Sequence, residues 1–177
     1  MHDDEARPES GFAPVAAPDA RILILGSMPS RKSLSEHQYY AHPQNAFWPI
    51  MGELFEFDAK LPYAERLQRL RDNGIALWDV AHQCVRPGSM DHAIDTASVV
   101  PNDFASFFMA QPHIRAIFFN GRKAEELFGR LVLPRLAPPF RGIERRRLPS
   151  TSPAHAGLSR VLKLSAWSII RQALETE

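Results

Sequence analysis

Three polar side chains of this chain stand where an apolar segment ends or a helix begins. Asn45 opens a helical pattern, Asp79 closes the apolar run 75–80, and Asn120 closes the apolar run 114–119. An amide held in a pocket can orient a water molecule or stabilise a developing charge. A buried carboxylate needs hydrogen-bond donors, because burying an unpaired charge costs free energy. These residues therefore mark a candidate pocket.

Each of the three residues also has a structural interpretation. Asn45 can cap the helix that it opens, and capping would fix the amide at the pocket floor, so both roles can hold. Asp79 can be a turn residue bonded to backbone N–H groups. Asn120, which precedes Gly121, can end its strand in the left-handed conformation. The residue types alone leave these alternatives open.

The turn after the first apolar run, residues 26–30 with the sequence GSMPS, carries no nucleotide-binding motif. It lacks the Gly-Lys-Ser/Thr of a P-loop and the glycines of a dinucleotide fingerprint. The chain also has no Gly-x-Ser-x-Gly nucleophile motif. The seven histidines have no paired ligand spacing, and the single cysteine excludes an internal disulfide and an iron–sulfur cluster. We therefore expect neither a cofactor nor a metal ion.

The spacing of apolar residues predicts the elements that must position these side chains. Strands are predicted at 21–25, 75–80, 114–119 and, at the charged edge of the sheet, 143–148. Helical patterns occupy 45–55, 64–73, 122–133 and 158–176, and another begins near 102. The predicted core side of the last helix is Leu158, Val161, Leu162, Ile169, Ile170 and Leu174.

The alternation of strands and helices predicts an α/β fold with a parallel sheet covered by helices on both faces. A ligand of such a sheet lies at the carboxyl ends of the strands. The loops expected at this edge span 26–29, 79–82, 120–121 and 148–155, and residues 81–89 are predicted to be irregular.

Length and composition suit one globular domain. The chain has 177 residues, of which 45% are hydrophobic, and a formal net charge of +1. We expect a single domain over 21–177, preceded by a flexible tail over 1–20. No apolar run approaches the roughly 20 residues of a membrane span, and the N-terminus lacks the apolar segment of a signal peptide. These features predict a monomeric cytoplasmic protein without a membrane partner.

Several blocks, taken together, carry a family resemblance: GSMPS with SL after it, QYYAHPQNAFW, GIALWDV with a Cys after it, RPGS with an Asp after it, FFNGRKA and LPSTSPAHA. In this order they resemble the uracil-DNA glycosylase superfamily, and within it the hypoxanthine-DNA (deoxyinosine) glycosylases. The resemblance extends from Arg21 to about Trp167. It implies an α/β/α sandwich around a four-stranded parallel sheet. It also implies base excision repair, in which a deaminated nucleotide is flipped out of DNA and its N-glycosidic bond is hydrolysed.

The resemblance implies roles for particular residues. The catalytic Asn of the hypoxanthine branch lies in the aromatic block and maps onto Asn45. Met28 occupies the position where better-known branches carry Asp or Asn, and it cannot orient water. Phe47 is expected to stack on the base. The implied base pocket is Gly26, Ser27, Met28, Tyr40, Phe47, Asp79 and Asn120. The implied DNA contacts are Ser150, Thr151, Ser152, Pro153, His155 and Arg147, with the loop 152–156 entering the duplex.

Asp79 and Leu148 depart from the family pattern. The branch that acts on uracil has Asn where this chain has Asp79. Hypoxanthine presents N1–H beside O6, and a carboxylate would accept from N1–H but repel O6. Asp79 is therefore either a partial base reader or an organiser of the pocket. Leu148 replaces a His that could stabilise the departing base, and no catalytic role is assigned to His155.

Two other functions stay open at this point. A uracil or mismatch-specific glycosylase would use the same pocket. A non-catalytic binder of damaged DNA or nucleotides would explain Met28. No lysine is expected at the pocket, although Lys32 is near in sequence, so the prediction is a monofunctional enzyme without lyase activity. Such an enzyme would associate with the nucleoid during repair.

Overall fold

The computed structural model describes residues 7–88 and 90–176. Within these ranges the strands are β1 (Glu9–Ser10), β2 (Ile22–Gly26), β3 (Ile75–Asp79), β4 (Ala81–Cys84), β5 (Val100–Pro101), β6 (Ala116–Asn120) and β7 (Glu144–Leu148). The α-helices there are α1 (Arg31–Glu36), α2 (Phe47–Phe55), α3 (Tyr63–Asp72), α4 (Phe104–Ala110), α5 (Arg122–Leu127), α6 (Pro138–Arg141), α7 (Arg160–Trp167) and α8 (Ile169–Glu175). A π-helical turn, Phe128–Val132, continues α5.

Strands β2, β3, β6 and β7 form one parallel sheet in the order β3-β2-β6-β7. Every residue of β2, β3 and β6 is buried, as expected for strands covered on both faces. Strand β7 lies at the edge, and only Leu148 of its five residues is buried. The predicted α/β/α sandwich around a four-stranded parallel sheet is confirmed.

The sheet separates two apolar cores. Alternate residues of the strands, such as Leu23 and Leu25, face a core that contains the phenylalanines of α4 and the apolar side of α5. The other alternate residues, such as Ile22 and Ile24, face α2, α3, α7 and α8. Because side chains alternate across a strand, the near-continuous apolar runs supply both cores.

Residues 9–20 pack along the domain, in contrast to the flexible tail expected over 1–20. Strand β1 pairs with β4, and Val15 exchanges two backbone hydrogen bonds with Leu77. The Trp78 indole donates to the Phe12 carbonyl at 2.9 Å. The segment therefore satisfies polar groups that would otherwise be unpaired at the border of the sheet. Residues 1–6 lie outside the described residues.

Residues 81–84, predicted to be irregular, form strand β4 instead. It pairs with β1 and β5 in a small antiparallel sheet that continues directly from β3. The prediction failed because the two partner strands have only two residues each and leave no recognisable pattern. The loop prediction also included Ser89, which is outside the described residues.

The predicted closing helix divides at Ser168 into α7 and α8. Its buried stripe runs through Lys163, Trp167, Ile170 and Leu174, at the 4-3-4 spacing of a helix face. Val161 and Leu162, predicted to be core residues, are 75% and 55% exposed. The prediction from hydrophobicity did not include Lys163, because this residue has a charged end although its aliphatic stem is buried. Among the described helices, none is long and apolar enough to cross a membrane.

Candidate active site

A cleft of about 540 Å³ opens at the carboxyl ends of the parallel strands. Its floor is the turn after β2, and its walls come from the ends of β3 and β6 and from the loop after β7. The sequence-predicted residues that line it are Gly26, Ser27, Met28, Tyr40, Asn45, Asp79, Asn120, Ser150, Thr151, Ser152 and His155. Phe47, Pro153 and Arg147 were also predicted to be site residues, but they do not line this cleft.

Asn45 lies one residue before Ala46, the N-cap of α2, and forms a local side-chain hydrogen bond there in place of the predicted helix cap. Its Oδ1 accepts a hydrogen bond from the Phe47 N–H at 2.9 Å, which fixes the amide just before α2 begins. The side chain is half-buried at the cleft wall. Among the described residues its Nδ2 group has no hydrogen-bond partner, so a backbone-anchored donor faces the cleft.

Tyr40, rather than Phe47, presents an aromatic ring to the cleft. The two rings stack with centroids 4.1 Å apart and planes inclined by 27°. Phe47 is fully buried, because the first turn of α2 points it into the core, where it also packs edge-on against Trp48 and Trp167. Tyr40, with a φ of 56°, covers it on the cleft side. The predicted place of Phe47 in the base pocket is thus corrected.

Asp79 ends β3 directly beside the last residue of β2. Its register partner is Gly26. A Cβ at Gly26 would overlap Asp79 Oδ1 and lie 3.1 Å from the Tyr40 hydroxyl oxygen. The missing side chain of Gly26 therefore leaves the space that the carboxyl group and the tyrosine occupy. This requirement for a close approach was not evident from the turn sequence.

Asp79 is 3% exposed, and its Oδ2 atom has no hydrogen-bond partner among the described residues. Burial raises the pKa of Asp79 to about 7, Asp91 contributes to the increase, and Arg86 opposes it. The Tyr40 hydroxyl is likewise buried without a partner in this part of the chain. Burial, and then Asp79, raise the pKa of Tyr40 far above its ordinary value. The Tyr40 hydroxyl is therefore neutral at pH 7, whereas the Asp79 carboxyl group changes from neutral to ionised around that pH.

Asp91 lines the cleft; the sequence marked it only as the acidic residue after RPGS, without a role. It begins a short 3₁₀ turn, Asp91–Ala93, and its Oδ1 accepts a hydrogen bond from Ser27 Oγ at 2.6 Å. This bond uses the Ser27 hydroxyl proton, so Ser27 Oγ is not a free donor in the cleft. The two residues are 64 positions apart, and no local motif connects them.

Asn120 holds the loop after β7 in place. Its Nδ2 donates to Thr151 Oγ1, and its Oδ1 accepts from the Thr151 N–H, both at 2.9 Å. The Thr151 carbonyl accepts from Ala46 N–H at 3.0 Å, which connects this loop to the segment of Asn45. The amide of Asn120 is thus engaged within the protein, although the residue lines the cleft as predicted.

The rest of the loop projects outward. The Trp167 indole donates to the Pro149 carbonyl at 2.8 Å, and Lys163 Nζ donates to the Ser152 carbonyl at 3.3 Å. Beyond these anchors, residues 153–157 are exposed. His155 faces the cleft, whereas Pro153 does not. The loop is therefore fixed at its base and exposed at its tip.

Basic residues line the cleft at a place that the sequence prediction missed. Arg122 and Lys123, the first residues of α5, line it directly after Gly121. Lys123 Nζ also donates to Thr96 Oγ1 at 3.3 Å. The expectation of a pocket without lysine is therefore corrected, and the NGRK sequence after an apolar strand was the available signal. Arg147 instead lies on the exposed edge strand, 3.8 Å from Glu125.

Comparison with known proteins identifies the class to which this fold and cleft belong. The family model for the uracil DNA glycosylase superfamily matches residues 13–171. The chain belongs to this superfamily.

Two relatives and one solved structure cover most of the chain. A protein named hypoxanthine DNA glycosylase from Methanosarcina acetivorans is 37% identical over 153 residues, which are 85% of this chain and 90% of that protein. A protein of the same name from Methanosarcina barkeri is 38% identical over 119 residues, which are 67% of this chain and 74% of that protein. A solution NMR structure of a Methanosarcina acetivorans protein, provisionally described as a uracil DNA glycosylase, has a TM-score of 0.79 and 35% identity, and covers 96% of this chain and 100% of that one.

Proposed function

We propose that this superfamily member is a monofunctional DNA glycosylase that excises a deaminated base, with deoxyinosine as the preferred substrate. The observation that carries the proposal is the cleft itself, where the Asn45 amide, anchored through its Oδ1 to Phe47 N–H, and the unpartnered polar oxygens of Asp79 and Tyr40 occur together. The relatives named hypoxanthine DNA glycosylase support the choice of base.

The cleft suits a nucleotide that has left the double helix. Its volume of about 540 Å³ falls in the range of about 300–1,000 Å³ typical of small-molecule sites. A base within a duplex cannot reach a cleft floored by buried residues, so the nucleotide must be flipped out. A deaminated, mispaired base costs less free energy to extrude than a paired one.

Tyr40 is the residue that we propose stacks on the flipped base. One face of its ring rests on Phe47, and the ring borders the cleft. A second flat ring against Tyr40 would extend this stack, and base–aromatic stacking contributes about 1–3 kcal/mol. Phe47 then acts through Tyr40, as a rigid support beneath it.

Asn45 is the proposed catalytic residue. Its Oδ1 accepts a hydrogen bond from the Phe47 N–H with one lone pair. The second lone pair can accept a hydrogen bond from a water molecule. Its Nδ2 can donate to the purine as negative charge develops on the ring. In the reaction, the water oxygen bonds to C1′, the electron pair of the C1′–N9 bond leaves with the purine, and the water proton ends on the purine. A preorganised donor at such a position contributes about 3 kcal/mol to the transition state.

The rim of the cleft provides contacts for the DNA backbone. Arg122 and Lys123 offer positive charge, and Ser150 and Ser152 offer hydroxyl and backbone groups. Phosphate contacts of this kind set the register of a protein on DNA without reading the sequence. The exposed loop 153–157 is the segment that we propose enters the duplex. We also propose that the protein acts as a monomer on chromosomal DNA in the cytoplasm.

An excision assay on a panel of duplexes tests the proposed function. The purified chain is incubated with duplexes that contain deoxyinosine, deoxyuridine, deoxyxanthosine or a G:T mismatch, and strand breaks are measured with and without alkali. We expect alkali-dependent breaks, fastest at deoxyinosine. Gln44→Ala, an exposed neighbour of Asn45, is the matched control and should cleave like the wild type.

Three outcomes would contradict the proposal. Faster excision of uracil or mismatched thymine would assign the protein to those branches. Retention of the inosine duplex without alkali-labile sites would indicate a binding protein. Breaks without alkali, together with a borohydride-trapped adduct that Lys123→Ala abolishes, would indicate a lyase.

A further inference from the structure

Two buried oxygen atoms at the floor of the cleft lack a hydrogen-bond partner among the described residues. Asp79 Oδ2 and the Tyr40 hydroxyl form no hydrogen bond among the described residues, although both are shielded from water. Leaving a buried polar group unsatisfied is unfavourable, and native proteins rarely do so without a functional reason. The same two side chains adjoin Gly26, where a Cβ would overlap Asp79 Oδ1 and lie 3.1 Å from the Tyr40 hydroxyl oxygen. Gly26, Tyr40 and Asp79 all line the cleft, so a ligand in it would meet a corner with unsatisfied polar groups.

Among the described residues, no cation is available to pair with the Asp79 carboxyl group alone. Arg86 is the cation that acts on it, but Arg86 Nη2 already bonds Glu9 Oε2 and the Pro29 carbonyl, each at 2.7 Å. Asp91, across the turn, adds a negative charge. From the segment before α2, Tyr39 and Tyr40 contribute neutral hydroxyls.

The remaining charged groups of the cleft come from other elements. Arg122 and Lys123 belong to α5, His92 to the 3₁₀ turn, and His155 to the loop after β7. None of these four contacts the Asp79 carboxyl group through a hydrogen bond or ion pair within residues 7–88 and 90–176. The immediate surroundings of Asp79 therefore favour its neutral form.

A neutral carboxyl group has the hydrogen-bonding pattern that hypoxanthine requires. It presents an O–H donor beside a carbonyl acceptor. Hypoxanthine presents the acceptor O6 beside the donor N1–H, so the two groups can form a pair of parallel hydrogen bonds. An ionised carboxylate would keep one of these bonds and place a negative charge against O6.

We propose that Asp79 reads the base as a neutral carboxylic acid, donating its proton to O6 of hypoxanthine and accepting a hydrogen bond from N1–H. The inference rests on the proposed function and adds the protonation state that the reading requires. The neutral Tyr40 hydroxyl lies beside Gly26 in the same corner and adds no charge there. Asp79 is thereby a specificity-determining residue whose work depends on remaining protonated.

A pH profile of kcat/KM with three forms of the full chain tests this inference. A deoxyinosine duplex is used from pH 5.5 to 9 at constant salt. Because the pKa of Asp79 is raised to about 7, wild-type kcat/KM should fall above pH 7 and approach a tenfold loss per pH unit. Asp79→Asn presents N–H and C=O without titrating, so it should lack this decline and exceed the wild type at pH 9. Asp79→Leu, of similar size but apolar, should lose at least tenfold at every pH.

The outcomes separate this inference from the function beneath it. A wild type that excises hypoxanthine with a flat profile to pH 9 would overturn the role of neutral Asp79 alone. An Asp79→Asn variant as inactive as Asp79→Leu would do the same, provided that circular dichroism shows both are folded. A wild type that releases no hypoxanthine at any pH would refute the proposed function, and this inference with it.

Discussion

Asn120 and Thr151 are joined by two hydrogen bonds of 2.9 Å, and each residue donates one of them to the other. Both residues are buried, and the pair connects the end of β6 to the loop after β7. Because the Thr151 carbonyl also accepts from Ala46 N–H, the segment that carries Asn45 is aligned by the same loop. The geometry of the cleft therefore depends on a contact that need not touch DNA.

Asn120→Ala should weaken both the fold and the excision reaction. It leaves the buried Thr151 N–H without its acceptor, which costs about 1–3 kcal/mol of unfolding free energy. Asn120→Asp is the matched variant, because a carboxylate can accept from both the N–H and the hydroxyl of Thr151. Urea denaturation and single-turnover excision should show a smaller loss for Asp than for Ala. Equal stability of Asn120→Ala and the wild type would disprove this positioning role.

Asn45→Ala should lose about 100-fold in single-turnover excision of hypoxanthine, equivalent to about 3 kcal/mol. It should also lose about 1 kcal/mol of stability, because the bond to Phe47 N–H disappears. Asn45→Asp keeps that acceptor, replaces the Nδ2 donor by an oxygen and adds a negative charge, so it should be as stable as the wild type yet remain slow. Duplex affinity, measured by fluorescence anisotropy, should change little in either variant. Full activity of Asn45→Asp would show that the donor is dispensable.

Tyr40→Ala and Phe47→Leu should have different effects although the two rings are in contact. Tyr40→Ala removes the ring that borders the cleft, so KM should rise by about 5- to 150-fold, consistent with about 1–3 kcal/mol of stacking. Phe47→Leu acts in the core, so its principal effect should be on unfolding free energy. Steady-state kinetics beside thermal denaturation will distinguish them. The reverse pattern would restore Phe47 as the stacking residue.

The raised pKa of Asp79 also predicts how stability depends on pH. Its pKa rises from an ordinary value of 3.8 to about 7 in the folded protein, so between these values the folded state binds more protons than the unfolded state. The contribution of Asp79 to stability is therefore greatest below pH 4 and is lost as the pH rises to 7, by about 1.4 kcal/mol per pH unit. Asp79→Asn should remove this slope. Urea denaturation at pH 5, 6, 7 and 8 measures it, and parallel slopes for the two proteins would contradict the prediction.

The sheet was predictable because its signals are local. The runs that became β2, β3 and β6 are apolar on both faces, which indicates burial under two helical layers. The carboxyl ends of parallel strands meet at one edge, so the sequence also placed Asp79 and Asn120 in a common cleft. Motif resemblance supplied Asn45, whose type and position alone are equally those of a capping residue.

The remaining details depend on distant parts of the chain. Tyr40 replaces Phe47 at the cleft because its backbone adopts a positive φ, which spacing does not reveal. Asp91 reaches Ser27 across 64 positions. Lys163 was overlooked as a buried residue because it is charged, yet its ammonium group meets the Ser152 carbonyl at the end of a buried stem. In each case a long-range contact decides what the local pattern leaves open.

The pairing of Glu9 with Arg86 affects how short a functional chain can be. Arg86 has a side chain only 1% exposed, and its Nη2 binds both Glu9 and the carbonyl of Pro29, in the turn that floors the cleft. Trimming the chain to residue 21, where the sequence suggested that the domain begins, would abandon a guanidinium inside the protein without its carboxylate. Breaking a buried ion pair in this way costs about 3–5 kcal/mol, a large share of a small domain's total stability. A chain that keeps this ion pair therefore includes Glu9, and the N-terminal segment supports the turn at the floor of the cleft.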